Sequence, residues 1–243
     1  LSFGGMNALV FLRDKAGIKR GDRVLVVGAS GGVGTAAVQL AKHFGAEVTG
    51  VCSTANLDLV RSIGADKVID YTREDFAKSG EAYDIILDTT GTAPFARCEN
   101  ALKQGGRLVA ITGTGLSLEN PKWRPGFERL QEQGTVIFTA AIDGSVYAKH
   151  GTSIETRLTV IDKLPAEDPA VFPLSAGLAP DVTTLLAWIE AQIPPRLPVA
   201  LPDIAPPVSG SAPRTVRGYL ARTATERPAA RSTMDPQGVE LAY

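Results

Sequence analysis

The sequence predicts an α/β fold, a Rossmann-type doubly wound parallel sheet, from two observations. Residues 24–34 read VLVVGASGGVG, an apolar strand pattern that ends in four glycines and is followed by the helical segment TAAVQLAKHFG. Strand and helix patterns then alternate at short intervals through the first half of the chain. Parallel strands joined by right-handed helical crossovers produce such an alternation.

Five strands are predicted in this sheet, with three helices among them. The strands are residues 23–27, 47–51, 67–69, 83–88 and 107–112. The helices are residues 35–44, 57–63 and 93–103, which end at Gly45, Gly64 and the pair Gly105 and Gly106. A ligand of such a sheet binds in the crevice at the carboxyl ends of the strands, where the strand order reverses. We therefore expect the functional residues at that edge.

The glycine loop between the first strand and the first helix predicts a dinucleotide site. Gly28 permits the tight turn, Gly31 lets the backbone approach a pyrophosphate, and Gly34 lets the helix pack against the strand. The amides at the N-terminus of the following helix would favour the negatively charged pyrophosphate. The spacing is G-x-x-G-x-x-G rather than G-x-G-x-x-G, so a purely structural glycine turn is the alternative.

The segment after the second strand favours NADP(H) over NAD(H). An NAD site usually places Asp or Glu about 20 residues beyond the glycine loop, and residues 48–57 contain neither. Ser53 and Thr54 stand there instead, with Arg61 in the following helix, so a 2′-phosphate would meet donors and no repulsion. The alternative is that Ser53 and Thr54 cap that helix.

Composition narrows the classes of function. The 243 residues suffice for one large or two small domains, and the net charge of −1 argues against a basic nucleic-acid surface or a polybasic membrane patch. Two cysteines and two histidines make neither a cysteine-rich zinc site nor a disulfide framework, so no metal is expected. Cys52 and Cys98 are expected to be buried free thiols.

The sequence was also searched for membrane-spanning and targeting segments. Neither a run of about 18 apolar residues nor a signal peptide is visible, so a cytoplasmic protein without a membrane partner is expected. The chain opens on Leu1 rather than Met, which is typical of a segment cut from a longer polypeptide.

The first half of the chain resembles a known family. The text GGMNALVFLRDKAGIKRGDRVLVVGASGGVGTAAVQLAKHFGAEVTGVCSTANLDLVRSIGADKVIDY, then YDIILDTTG and LKQGGRLVAITG, is similar to the cofactor domain of the zinc-independent medium-chain dehydrogenase/reductases, the quinone oxidoreductase-like branch. The resemblance covers residues 1–113. It implies hydride transfer from NADPH to a quinone or conjugated carbonyl, a small-molecule substrate, and a homodimer as one option.

The same resemblance implies a set of cofactor contacts. The pyrophosphate would be held by Ser30, Gly31, Gly32, Val33 and Gly34. Ser53 and Asn56 would lie near the adenosine ribose, Tyr71 beside the adenine, and Thr89, Gly91 and Thr112 near the nicotinamide. The family's separate substrate domain is not recognisable in this chain. Hydride transfer in this branch depends chiefly on positioning, so no catalytic residue is assigned.

The later text includes GGRLVAITGTG and NPKWRPGFERLQEQGTVIFTAAIDGSVYAKHGTSIETRLTVIDKLPAED. Over residues 105–220 it resembles the methylase half of bacterial strawberry-notch-like methylase/helicase proteins. A helix is predicted at 123–133, and strands at 135–142 and 156–162 could extend the sheet as an antiparallel hairpin. Such methylases place an Asn-Pro-Pro-aromatic loop after the fourth strand, whereas this chain reads DTTGTAPF there. The alternative function is therefore a fragment of a nucleic-acid modifying protein, and a third is an inactive folded remnant. The two resemblances overlap at GGRLVAITG, which indicates a join within the fifth strand.

The sequence is divided accordingly into three parts. Residues 1–113 are the predicted dinucleotide-binding domain, 114–163 a sheet-extending α/β segment, and 164–243 a proline-rich, largely disordered linker or tail. One helix at 181–192 could dock through Leu185, Trp188 and Ile189. The scattered arginines after residue 210 favour a solvated tail over a nucleic-acid contact.

Overall fold

The computed structural model describes residues 3–118, 120–150 and 153–196. Within them the chain forms one eight-stranded sheet in the order β3-β2-β1-β4-β5-β7-β6-β8. The strands are β1 (Arg23–Val27), β2 (Glu47–Cys52), β3 (Lys67–Asp70), β4 (Tyr83–Asp88), β5 (Leu102–Gly113), β6 (Thr135–Ile142), β7 (Thr156–Asp162) and β8 (Leu178–Ala179). The predicted α/β class with a doubly wound sheet is confirmed.

The first five strands are parallel and carry the switch in strand order. β1 pairs with β2 on one side and with β4 on the other, and β4 pairs with β5. The chain therefore winds in opposite directions from β1, which opens a crevice between the carboxyl ends of β1 and β4. The crevice lies where the sequence predicts it.

The last strands extend the sheet as an antiparallel hairpin, as predicted. β7 runs antiparallel to β5 and to β6, so the second strand of the hairpin is the inner one. The two-residue β8 adds to the outer edge of β6 in parallel.

Helices cover both faces of the sheet. They are α1 (Phe3–Leu9), α2 (Gly32–His43), α3 (Leu57–Ser62), α4 (Phe95–Cys98), α5 (Arg124–Gln131) and α6 (Val182–Gln192). One hydrophobic cluster joins α1, α2, α3 and α6 to the sheet, and the other joins α4 and α5 to the opposite face. A π-helical segment, Val10–Lys15, continues α1; the sequence analysis did not predict this helical region.

The predicted linker, residues 164–243, begins too early in the chain. Within residues 164–196, α6 buries Leu185 and Ile189 against the sheet, as its pattern predicts. Arg196 is 6% exposed and donates to both carboxylate oxygens of Asp22 at 2.6 and 2.8 Å. This part of the chain is therefore packed rather than a linker, because a helix and a long-range ion pair anchor it. Residues 197–243, where the rest of the predicted tail falls, lie outside the described residues.

Candidate functional site

Two glycines of the loop after β1 are required by the fold itself. Gly28 has a φ of +81°, and a Cβ there would lie 2.6 Å from the Thr89 hydroxyl oxygen. A Cβ on Gly34 would overlap the carbonyl oxygen of Gly28 and lie 2.8 Å from the Cα atom of Ala29. The turn and the close packing of α2 on β1 therefore explain these two glycines without a ligand.

Two other glycines of the same loop are not required by packing. Gly31 is the exposed N-terminal cap of α2 and supplies no side-chain hydrogen bond to the first turn. A Cβ on Gly31 would make only an ordinary contact, 3.4 Å from the Gly28 oxygen, and a Cβ on Gly32 would meet no atom within 4 Å. The first-turn amides are thus left without a side-chain cap beside empty space, which is the arrangement that an anion needs.

Ser30 and Val33 complete this cradle, and both are half-buried. The loop is held to the second strand because the amides of Gly28 and Ala29 donate to the carbonyl of Val51 at 3.1 and 3.0 Å. The glycine loop therefore lies beside the carboxyl end of β2.

Ser53 and Asn56 meet at the end of β2, where the predicted ribose contacts fall. The Asn56 side-chain amide donates to the Ser53 hydroxyl at 3.1 Å. Ser53 makes no capping hydrogen bond, and the Thr54 hydroxyl donates to Asp70 instead. The alternative in which Ser53 and Thr54 cap the next helix is therefore wrong.

Asp70 is an acid at the ribose end that the sequence analysis missed. It pairs with Cys52 in the β2–β3 register, so the search along β2 alone did not reach it. Hydrogen bonds from the hydroxyls of Thr54 and Thr72 lower the pKa of Asp70. The carboxylate is thus held ionised, with one oxygen facing each threonine.

Two arginines flank the same end of the sheet. A cavity of about 390 Å³ lies there, lined by Leu57, Arg61, Val68, Asp70, Arg73 and Glu74. Arg61 is predicted from the sequence, whereas Arg73 is not. Tyr71, the predicted adenine neighbour, is 59% exposed and is not one of the residues that line this cavity.

At the end of β4, Asp88 shapes the loop that carries Thr89 and Gly91. Asp88 is 1% exposed and accepts hydrogen bonds from the amides of Thr90, Gly91 and Ala93 at 2.9, 3.0 and 2.8 Å. The Thr89 hydroxyl donates to the carbonyl of Val27 at 2.9 Å. Asp88 is therefore a positioning residue, and the short run Asp-Thr-Thr-Gly after a buried strand was its sequence signal.

Thr112 lies next to this loop on β5. Gly91 has a φ of +71°, and a Cβ there would be 3.5 Å from the Cα atom of Thr112. The Thr112 hydroxyl is buried and has no hydrogen-bond partner among the residues that the structure describes. The structure therefore brings Thr89, Gly91 and Thr112 together beside the glycine loop, while Ser53, Asn56 and Tyr71 lie at the other end of the crevice.

The cysteines offer no reactive group. Both are free and buried, as predicted. Burial raises the pKa of the Cys98 thiol to about 12, and burial together with the charge of Asp70 raises that of Cys52. Both remain thiols at neutral pH. Among the described residues, no three His, Cys, Asp or Glu side chains gather where they could hold a metal ion, and no helix is long and apolar enough to cross a membrane.

Part of the chain that forms this site is similar to known proteins. The profile of the family described as zinc-binding dehydrogenase matches residues 32–125. A 2-methylene-furan-3-one reductase from Solanum lycopersicum is 42% identical over 102 residues, 41% of this chain and 26% of that protein. The NADPH-dependent alkenal/one oxidoreductase of Arabidopsis thaliana is 43% identical over 38% of this chain and 24% of its own length. The mitochondrial NAD(P)H oxidoreductase RTN4IP1 of Bos taurus is 53% identical over 54% and 32%.

The chain was also compared with solved structures, and one of them resembles it over part of its length. A quinone oxidoreductase from Coxiella burnetii is 32% identical and covers 43% of this chain and 32% of its own, with a TM-score of 0.39.

The chain spans about a quarter to a third of the curated relatives that it matches. Within the matched part, the resemblance to the quinone oxidoreductase-like medium-chain dehydrogenase/reductases is confirmed. The alternative of a nucleic-acid modifying fragment receives no support from these relatives.

Proposed function

We propose that this chain is the NADP(H)-binding portion of a quinone reductase-like oxidoreductase that transfers a hydride from NADPH to a quinone or conjugated carbonyl. The observation that carries the proposal is the pair Gly31 and Gly32, since neither the turn nor the packing of α2 requires them to be glycine. A structural turn explains Gly28 and Gly34 but leaves this pair unexplained. The names of the relatives, which include reductases described as NADPH-dependent, support the same function.

The residues of the crevice fit a nicotinamide dinucleotide, whose nicotinamide ring supplies the hydride when it is bound. We assign the pyrophosphate to Ser30, Gly31, Gly32, Val33 and Gly34, the ribose to Ser53 and Asn56, the adenine to Tyr71, and the nicotinamide to Thr89, Gly91 and Thr112. Gly28 provides the turn. Asp88 positions the nicotinamide loop through its three amide contacts.

The preference for NADP(H) rests on the charges at the ribose end. The Asp70 carboxylate accepts hydrogen bonds from Thr54 and Thr72, which compete with a ribose hydroxyl for its oxygens. Arg61 and Arg73 line the same cavity as Asp70 and Glu74. A 2′-phosphate would therefore find two guanidinium groups within the same pocket, and Arg is well suited to bind phosphate.

A titration with NADPH, followed by cofactor fluorescence, tests the proposal. Gly32→Val places a branched side chain where the fold has room and where the pyrophosphate would approach. Gly126→Val on α5 is the matched control, because a Cβ there also meets no atom within 4 Å. The parent and Gly126→Val should bind NADPH alike and more tightly than NADH, and Gly32→Val should lose at least tenfold in affinity with an unchanged melting temperature.

Two results would contradict the proposal. Equal NADPH affinity in Gly32→Val and the parent would make the loop a structural turn. A parent that binds neither dinucleotide would remove the oxidoreductase function altogether.

We further propose a cytoplasmic location, supported by the two buried free thiols, although relatives are described as chloroplastic or mitochondrial. We also propose that the protein forms a homodimer and that its domain limits lie at residues 113 and 163. Light scattering tests the first and limited proteolysis the second.

A further inference from the structure

Arg157 on β7 is a buried guanidinium without a carboxylate. It is 8% exposed, and among the described residues its hydrogen bonds go only to the hydroxyls of Thr139 at 3.0 Å and Ser175 at 3.5 Å. Its Nε atom is buried with no partner. The other two buried arginines, Arg107 and Arg196, each hold an aspartate with two hydrogen bonds. A buried charge is strongly unfavourable unless it is paired with an opposite charge. Arg157 has no such partner among the described residues, so a bound anion would stabilise it.

A second unsatisfied group lies directly opposite Arg157. Thr112 is its partner residue in the antiparallel β5–β7 pair, and side chains of opposite residues lie on the same face of the sheet. The Thr112 hydroxyl is buried and has no hydrogen-bond partner within the described ranges, so no bond links the two side chains. A single ligand oxygen could accept from both.

An apolar cavity lies beside Thr112; Arg157 is opposite Thr112 in the sheet but is not one of the residues that line the cavity. The cavity has a volume of about 520 Å³, within the range of small-molecule sites, and Thr112 and Thr159 line it. Its walls are mostly aromatic and aliphatic, formed by Phe95, Leu108, Ala110, Trp123, Phe127 and Ile161. The space therefore suits a ring system that carries its polar group at the Thr112 end.

We propose that this cavity binds a small aromatic carboxylate. The carboxylate accepts from Arg157 and from the Thr112 hydroxyl, and the ring occupies the cavity between α5 and the sheet. A carboxylate is favoured because its two oxygens match the Nε edge of a guanidinium. The proposal requires no bound dinucleotide and so goes beyond the oxidoreductase function, but the cavity shares Gly91 and Thr112 with the residues that we assign to the nicotinamide.

Fluorescence titration with 2-naphthoate, in the absence of NADPH, tests this site. The neutral 2-naphthylmethanol has the same ring, and acetate has the same charged group without it. The parent should bind 2-naphthoate at least tenfold more tightly than either. Arg157→Met, similar in length but uncharged, should remove that preference for 2-naphthoate over the alcohol, and Thr112→Val should weaken 2-naphthoate binding about tenfold.

The melting temperature of the free protein gives an independent readout. Arg157→Met should raise it, because the variant removes an unpaired buried charge. Arg107→Met should lower it, because that variant leaves Asp162 unpaired. If Arg157→Met fails to fold, Arg157→Lys, which keeps the charge but loses the planar fork, should still bind 2-naphthoate more weakly than the parent does.

The proposal is overturned if the parent binds no 2-naphthoate, or binds the acid and the alcohol equally. It is also overturned if Arg157→Met melts lower than the parent and keeps its 2-naphthoate affinity, since the arginine would then be structural. The Gly32→Val titration measures NADPH binding separately, because Gly32 does not line this cavity.

Discussion

Replacing Lys15 by Met should make the protein more stable and should change how its stability depends on pH. Lys15 is fully buried at the end of the π-helical segment, and within the described part of the chain its side-chain nitrogen has no hydrogen-bond partner. The nearest compensation is the ring of Phe138, whose centroid lies 5.1 Å away. Burial lowers the pKa of Lys15 from 10.5 to about 6.

The size and sign of the effect follow from this pKa. Above about pH 6 the folded state holds Lys15 neutral, whereas the unfolded chain keeps it protonated up to about pH 10.5. The unfolded state binds more protons in this window, so the free energy of unfolding rises with pH, by about 1.4 kcal/mol per unit. Between pH 7 and pH 9 the gain is about 3 kcal/mol, and below pH 6 the contribution no longer changes.

Urea unfolding followed by circular dichroism at pH 7, 8 and 9 measures this slope. The Lys15→Met variant lacks the titrating group, so its unfolding free energy should rise about 3 kcal/mol less than that of the parent over this range. It should also be the more stable protein at pH 7. Lys19→Met, at an exposed lysine four residues away, is the control and should keep the slope of the parent. Equal slopes in Lys15→Met and the parent would refute the reasoning.

Three further predictions concern the glycine loop, the packed C-terminal segment and turnover. Gly34→Ala should lower the free energy of unfolding by more than about 3 kcal/mol in urea, because its Cβ would overlap the Gly28 oxygen, whereas Gly32→Ala should unfold like the parent. Arg196→Met should cost about 3 kcal/mol in the same assay, because it leaves Asp22 buried and unpaired; an unchanged midpoint would contradict the anchoring role. Quinone reduction by the isolated chain, followed as NADPH oxidation, should be slow even where NADPH binds, because the chain spans about a quarter to a third of its relatives' length and the rate depends on orienting the acceptor and excluding water.

The strand content could be predicted closely because it depends on local pattern. β1, β4, β6 and β7 occupy the residues expected from their apolar runs and flanking turn residues. The predicted helix 93–103 is shorter in the structure, since α4 ends at Cys98 and the chain enters β5 at Leu102. Leu102 pairs with Tyr83, a contact across the sheet that no local pattern contains.

The residues of the candidate site also differ in whether they could be predicted from the sequence. The glycine loop and the loop after β4 could be recognised because their residues are contiguous in the sequence. Asp70 and Arg73 could not, because they approach the ribose end only through the pairing of β3 with β2. The packing of residues 164–196 was missed for the same reason. Arg196 contacts Asp22, which is 174 positions away in the sequence, and an ion pair of this kind cannot be predicted from the proline content of the segment.

The arrangement of β5 explains how the hairpin can extend the parallel sheet. On one edge, residues 107–110 pair in parallel with β4, and on the other edge residues 107–113 pair antiparallel with β7. Each neighbour uses its own edge of the strand, so adding the hairpin leaves the order of β3, β2, β1, β4 and β5 unchanged. The crevice beside β1 therefore does not depend on the hairpin. The hairpin instead contributes Thr159, Ile161 and Arg157, so the aromatic carboxylate site depends on this addition whereas the dinucleotide site does not.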